Sequence, residues 1–323
     1  MSYVVLIPDQ VDSKAVEVLL RTDGLEVRNA GKLERGPLLE QVREADALVI
    51  RSGVKIDREV IEAAPRLKAV ARAGVGVDNV DLDAATEKGV IVMNTPGGNT
   101  IATAEHTFGL MLALARFIPQ GHASMLAGKW DRKSFVGVEL RGKTLGIVGF
   151  GRIGRALAQR ARAFEMTVIA FDPYVDAGTG ASLGVEMVDL ATLYARSDFI
   201  SLHAAITPET RGMINAASIA QMKDGVRLLN AARGALIVDA DLAAAIQAGK
   251  VAGAALDVFE PEPPAPDNPL IGLPGVLHTP HLAASTHDAQ ITVAVEAAEL
   301  IVNALLYGTY ENICNPAAFK PQA

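Results

Sequence analysis

Short apolar runs alternate with amphipathic stretches of helix length from the first residues to about position 280, a pattern that predicts strands joined by crossover helices. Residues 4–7, 25–29, 47–51, 67–73 and 90–94 read as five strands, separated by helical stretches such as 14–21 and 81–88. Between Asn99 and Leu126 the apolar positions run round every face, which predicts one long helix, capped by Asn99 or Thr100 and covered on most sides by core. A second series follows, with strands at 144–150, 167–172, 199–203, 226–230 and 251–257 and a short last one at 276–278. Residues 260–266 are Pro-rich and predict an ordered loop, because proline cannot donate to a helix or a central ladder. Helical spacing returns over 285–306, a segment expected to pack back on the first series. The fold class is α/β with parallel sheets.

Length agrees with two domains: the chain has 323 residues, 50% hydrophobic and 21% charged, so it can bury two cores. A net charge of -7 provides no cationic field for a polyanion, so no nucleic-acid partner is expected. Cys314 is the only cysteine, which excludes an intrachain disulfide and points to a reducing, cytoplasmic setting. The N-terminus lacks the basic start and apolar run of a signal peptide. The most apolar long segment, 102–118, contains Glu105, His106 and Arg116, so no membrane span is expected.

The chemistry lies in the second series. Gly149-Phe150-Gly151-Arg152-Ile153-Gly154 follows a strand and opens a helix, the context in which three glycines permit a tight turn, close approach to a pyrophosphate, and close helix packing. Asp172 ends the next strand, where a carboxylate reads ribose hydroxyls and repels a 2'-phosphate by roughly 4 kcal/mol per charge at about 4 Å. The expected cofactor is therefore NAD. Gly137-Val138-Glu139-Leu140-Arg141-Gly142-Lys143-Thr144 has the spacing of a nucleoside-triphosphate loop in the wrong context, since a strand follows it instead of preceding it.

Three residues beyond strand ends are candidates for the reaction: Arg233 after 226–230, Glu262 in the Pro-rich loop, and His281 after the last strand. In open α/β sheets that edge binds ligands. A guanidinium can hold a carboxylate, an imidazole can take a hydroxyl proton, and a carboxylate can orient the imidazole, a set suited to oxidising a 2-hydroxy acid. His278 is a rival base inside the strand, and His281 is preferred. His106, His122, His203 and His287 have no metal-ligand spacing, so no metal is expected.

These segments, together with Arg72-Ala73-Gly74-Val75-Gly76-Val77-Asp78-Asn79-Val80-Asp81, Asn94-Thr95-Pro96-Gly97-Gly98-Asn99-Thr100, and residues 128–133, 230–239, 257–263 and 279–285, make nearly the whole chain resemble the D-isomer-specific 2-hydroxyacid dehydrogenase family. The resemblance implies two doubly wound parallel-sheet domains. A Rossmann-type NAD-binding domain, residues 95–282, would be inserted into a flavodoxin-like substrate domain of residues 1–94 plus 283–323, with closure of a hinged cleft excluding water. It also implies that Arg233 anchors the substrate carboxylate, His281 is the acid/base, and Glu262 favours its protonated form. The expected cofactor set is Gly149, Gly151, Arg152, Ile153, Gly154, Asp172, Pro173, Thr207, Ala231 and Asp257. The expected substrate set is Arg51, Ser52, Gly53, Arg72, Gly74 and Arg132, the last from a neighbouring subunit of a homodimer or higher homo-oligomer. Several arginines favour a phosphorylated 2-hydroxy acid. Glyoxylate or hydroxypyruvate reduction and a dinucleotide-sensing corepressor role are the alternatives. Some members carry C-terminal regulatory domains, and none is expected here. Residues 178–182 are expected to be a surface turn.

Overall fold

A computed structural model describes residues 2–319; Met1 and residues 320–323, at the ends of the expected first domain, lie outside them. The chain forms two compact units, Met1–Asn99 with Ser285–Ala323, and Thr100–Ala284.

The first unit runs β1 (Tyr3–Ile7), α1 (Ser13–Leu20), β2 (Leu25–Asn29), α2 (Arg35–Gln41), β3 (Ala47–Ile50), α3 (Arg58–Glu62), β4 (Ala69–Arg72), α4 (Leu82–Lys88) and β5 (Ile91–Asn94). Its strands pair in parallel in the order β2-β1-β3-β4-β5. Both faces are covered, so the central strands are apolar at successive positions instead of alternating. Leu6, Leu48, Ile50, Val70 and Val92 meet Leu38, Val60, Ile61 and Ala84 on one face.

The second unit runs α5 (Thr100–Arg116), α6 (Ile118–Leu126), β6 (Thr144–Val148), α7 (Arg152–Ala163), β7 (Thr167–Phe171), α8 (Ala177–Ser182), β8 (Glu186–Met187) and α9 (Leu190–Arg196). It continues with β9 (Phe199–Leu202), α10 (Ala216–Ala220), β10 (Val226–Asn230), α11 (Asp239–Gln247), β11 (Val251–Leu256) and β12 (Val276–His278). All seven strands are parallel, in the order β12-β11-β10-β9-β6-β7-β8. Strand order reverses between β6 and β9, and in such sheets the crevice beyond the strand ends at this point takes the ligand. One face packs Leu145, Ile147, Val168 and Ala170 against α5 and α7; the other packs Val148, Ile200, Leu228 and Leu256 against α9, α10 and α11.

The chain then returns to the first unit with α12 (His287–Val302). Val293, Ala294, Ala297, Ala298 and Ile301 of α12 cover Val5, Ile7, Val49, Ala71 and Met93, the small alanines letting the helix lie close to the sheet. Helix 287–307 is long and apolar enough to cross a membrane by length and composition, but these residues are buried in the core of the first unit.

Two expectations are corrected. The single helix over 99–126 is two helices bent by 64°, because Phe117 adopts φ 53° and Pro119 starts a new helix in its first turn. Only α5 contributes to the core; α6 has no buried residue. Residues 178–182 are not a turn but lie in α8, capped by the Asp176 carboxylate accepting from Thr179 N at 2.9 Å, with Gly180 pressed against Met187.

Candidate active site

The turn after β6 is built around two glycines that cannot be replaced without moving backbone. Gly149 adopts φ 93°, and a Cβ there would lie 2.6 Å from the His203 carbonyl carbon at the end of β9. At Gly154 a Cβ would lie 2.4 Å from the Gly149 carbonyl oxygen, so α7 packs directly on the turn. Gly151, the residue before α7, faces open space within 4 Å and has no capping side chain, which leaves the first N–H groups of α7 uncapped at the glycine turn. This cradle fits a pyrophosphate.

Asp172 ties the next strand to that turn. One carboxylate oxygen accepts from Phe150 N at 2.8 Å and the other from Tyr174 N, across Pro173, at 2.9 Å. Each oxygen keeps a lone pair for a ribose hydroxyl. Thr207 lies in an exposed turn where its N–H donates to Thr210 Oγ1 at 2.8 Å, and Ala231 is buried at the end of β10.

Beyond β10, β11 and β12 three loops meet. Gly234 brings the Arg233 turn against the chain after β11, since a Cβ there would lie 2.1 Å from the Phe259 carbonyl carbon. Asn230 Nδ2 donates to the Arg233 carbonyl at 2.8 Å, and the Arg233 guanidinium donates to the Ala232 carbonyl at 2.7 Å. Glu262 accepts from Phe259 N on Oε1 at 3.0 Å and lies 2.7 Å from His281 Nδ1 through Oε2. A carboxylate can only accept, so Nδ1 carries the hydrogen and Nε2 is left for proton exchange. Both side chains are partly exposed, at 52% for His281 and 37% for Glu262, so solvent or substrate reaches the pair. His278 is engaged elsewhere: Nε2 lies 2.8 Å from the Leu270 carbonyl and its ring stacks on Phe259. A cavity of about 380 Å³ adjoins the pair, lined among others by Phe259, Pro263, Ile271 and His278.

His281 is held in a backbone conformation that L-residues adopt at a cost of about 1 kcal/mol, with φ 54°. Asp257, fully buried at the end of β11, supports it. Its carbonyl accepts from His281 N at 2.8 Å, while its carboxylate accepts from Leu282 N at 2.7 Å and Ala283 N at 2.9 Å. Thr279 Oγ1 donates to the same carboxylate at 2.5 Å, and His106 Nε2 on α5 lies 3.2 Å away. Burial opposes the Asp257 charge, but the bonds from His106, Thr279 and the two backbone N–H groups outweigh it and hold the carboxyl below the usual aspartate range.

The family model for the D-isomer specific 2-hydroxyacid dehydrogenase NAD binding domain matches residues 108–283, a span that includes the glycine turn, Arg233, Glu262 and His281. The chain belongs to this family.

Proteins named D-3-phosphoglycerate dehydrogenase are similar to nearly the whole of this chain. The D-3-phosphoglycerate dehydrogenase of Archaeoglobus fulgidus is 49% identical over 98% of the chain, which spans about 60% of that relative. Among solved structures, a protein from Thermus thermophilus has a TM-score of 0.87 at 38% identity, covering 96% of this chain and 99% of its own. A glyoxylate reductase from Paecilomyes thermophila has a TM-score of 0.86 at 32% identity, covering 97% and 98%. The residues matched by the NAD binding domain model, 108–283, fall within the second unit.

In the first unit, Arg51, Ser52 and Gly53 follow β3 at the point where strand order reverses between β1 and β3. Buried Asp9, just after β1, accepts from Arg51 N and Gly53 N, both at 2.9 Å, and Asn79 Nδ2 donates to the Arg51 and Val54 carbonyls at 2.7 Å. Arg72 ends β4 and lies over Gly74, whose N–H donates to Thr95 Oγ1 at 2.7 Å and whose φ of 140° and missing Cβ leave room for the guanidinium. Arg132 is exposed in the irregular segment after α6. His106, Thr279, Asp9 and Asn79 are absent from the sequence-based candidates. Asp9 was detectable as an acidic residue at the end of the first strand. His106 was not, because 151 residues separate it from Asp257.

Proposed function

We propose that the chain catalyses NAD-dependent oxidation of D-3-phosphoglycerate to 3-phosphohydroxypyruvate, a step toward serine. The observation that supports this best is the Glu262–His281 pair at 2.7 Å beside the Arg233 turn, in a unit that carries the glycine cradle and Asp172. The similarity to D-3-phosphoglycerate dehydrogenases over nearly the whole chain supports the substrate.

NAD, held by the glycine turn and Asp172, would supply the acceptor for the hydride that leaves C2 of the hydroxy acid. His281 Nε2 takes the hydroxyl proton, Glu262 on Nδ1 keeps the ring oriented and favours the imidazolium so formed, and the Arg233 guanidinium holds the substrate carboxylate. Arg51 and Arg72, with the Ser52–Gly53 and Gly74 backbone, serve the phosphorylated substrate, and Asp9 keeps the 51–53 loop in shape. A second copy of the chain supplies Arg132 in a homo-oligomer; exposed Ile118, Met125, Leu126 and Trp130 give α6 and the segment after it an apolar surface for that contact. A cytoplasmic location follows from the lone Cys314.

The test follows NADH absorbance with phosphohydroxypyruvate, hydroxypyruvate, glyoxylate and pyruvate at matched concentrations. Phosphohydroxypyruvate should be preferred, and Arg51→Ala and Arg72→Ala should remove that preference, each losing about 1.5 to 3 kcal/mol of phosphate recognition. Equal turnover of the unphosphorylated acids would instead make the chain a glyoxylate or hydroxypyruvate reductase. His281→Ala should lower kcat by about two to four orders of magnitude with NADH affinity retained.

A further inference from the structure

His106 sits on α5, a helix fixed in the core of the second unit by Ala104, Phe108 and Met111. Its Nε2 lies 3.2 Å from Asp257 Oδ1 and 3.2 Å from Thr279 Oγ1. The proton inventory sets the direction of both bonds. Asp257 is ionised and only accepts, and the Thr279 hydroxyl directs its own hydrogen to Asp257 Oδ1 at 2.5 Å. Both neighbours of Nε2 are therefore acceptors, so Nε2 carries a hydrogen and bridges them. Glu105, next along the helix, is engaged by Arg160 at 2.8 Å and takes no part.

The Asp257 residue that His106 holds is the anchor of the turn carrying His281. Its carbonyl takes His281 N, and its two carboxylate oxygens take the next two backbone N–H groups, Leu282 and Ala283. The left-handed conformation of His281, at φ 54°, is thus enforced by the backbone carbonyl and the side chain of one residue. His106 is the link between that side chain and a core helix.

We propose that His106 is a positioning residue for His281: as an Nε2–H donor it fixes Asp257 and Thr279, and through them the direction of the His281 ring toward Glu262 and substrate. It touches neither substrate nor cofactor in this role. The inference rests on His281 being the acid/base of the proposed reaction. A small misplacement of a reacting group lowers turnover with little effect on ground-state binding.

The experiment compares His106→Leu and His106→Gln with the unmodified chain, alone and in a His281→Ala background, reducing phosphohydroxypyruvate with NADH across the pH range in which histidines titrate. His106→Leu should lower kcat by about ten- to a hundredfold, leave KM for the keto acid within about twofold, and move the limb of the pH profile that His281→Ala abolishes. His106→Gln, whose amide can still donate, should recover most of kcat. In the His281→Ala background the Leu substitution should have no further effect. Wild-type kcat and pH profile for His106→Leu, an undiminished effect in the His281→Ala background, or a Gln variant as slow as Leu would each overturn the proposal. If His106→Leu does not fold, Thr279→Val removes a donor from the same carboxylate at nearly constant volume and is held to the same kcat, KM and pH-profile outcomes. Wild-type turnover by His281→Ala would instead remove the acid/base assignment, while a slow His281→Ala with an unaffected His106→Leu defeats the positioning role alone.

Discussion

At the end of β9 His203 is half-buried, with Nε2 2.8 Å from Ser201 Oγ and a buried Nδ1 that has no partner among the described residues. Burial lowers its pKa to about 4, so the folded protein keeps it neutral where an unfolded chain would protonate it. Between the unfolded value near 6.5 and the folded value the unfolded state binds more protons, so stability falls as pH falls through this window, by on the order of 3 kcal/mol at its lower end. Asp257 contributes further loss at lower pH: its depressed carboxyl stabilises the fold above the ordinary aspartate range, and that stability disappears as pH drops through the folded value. His203→Gln, which retains a partner for Ser201, should flatten the upper part of the acid limb in denaturant titrations and leave the lower part. An unchanged slope near pH 5 would show that His203 is protonated in the fold. Tyr194 offers a second measurement, since its hydroxyl is buried in the core without a partner among the described residues and the phenol is pushed up to about 12 by burial. Tyr194→Phe should be neutral or stabilising by about 1 kcal/mol in the same titration, because an unpaired buried hydroxyl contributes only its desolvation cost.

Among elements, the turn from β6 into α7 separates two duties that the glycine motif combines. Gly154→Ala drives a Cβ to 2.4 Å from backbone oxygen and should lower stability by about 1 to 3 kcal/mol with weaker NADH binding. Gly151→Ala adds a Cβ to open space and should keep the same Tm while weakening NADH, since only a ligand would meet it. Equal Tm losses in the two variants would remove this division. Every strand but β8 was legible as a short run bounded by turn residues, and the strand ends fixed where Arg233, Glu262 and His281 could act; β8, the two residues Glu186–Met187, is too short and too polar to form an apolar run and was missed. The break at Phe117 was not legible, since a phenylalanine in the left-handed region has no local signature; Pro119 was the only hint of a new start. Asp257, by contrast, was a candidate for the cofactor, but its service to the 281–283 turn depends on pairing between β11 and β12 and on α5, which periodicity does not reveal.

For the molecule as a whole, the two units use one grammar for different ends. Each is a parallel sheet with helices on both faces and a reversal of strand order, and each places its polar residues at that reversal: Asp9 with Arg51 and Gly53 in the first unit, Gly149 with His203 in the second. In the second unit, glycines pressed against backbone, an α7 N-terminus without a capping side chain and the Asp172 carboxylate on the neighbouring strand come together at one turn, so dinucleotide binding energy is expected to be localised there. NADH at about 100 times its Kd should therefore stabilise the chain by about 2.7 kcal/mol, with hydrogen-exchange protection centred on residues 149–154 and the strands β6 and β7. NADPH at the same concentration should protect less, because its 2'-phosphate would meet the Asp172 carboxylate. Asp172→Ala should narrow the gap between the two cofactors by weakening NADH, and because Asp172 also accepts from Phe150 N, exchange at Phe150 should quicken even without cofactor. Equal protection by NADH and NADPH in the unmodified chain would refute the ribose role of Asp172, whereas slow Phe150 exchange in the variant would show that the glycine turn holds its shape without that carboxylate.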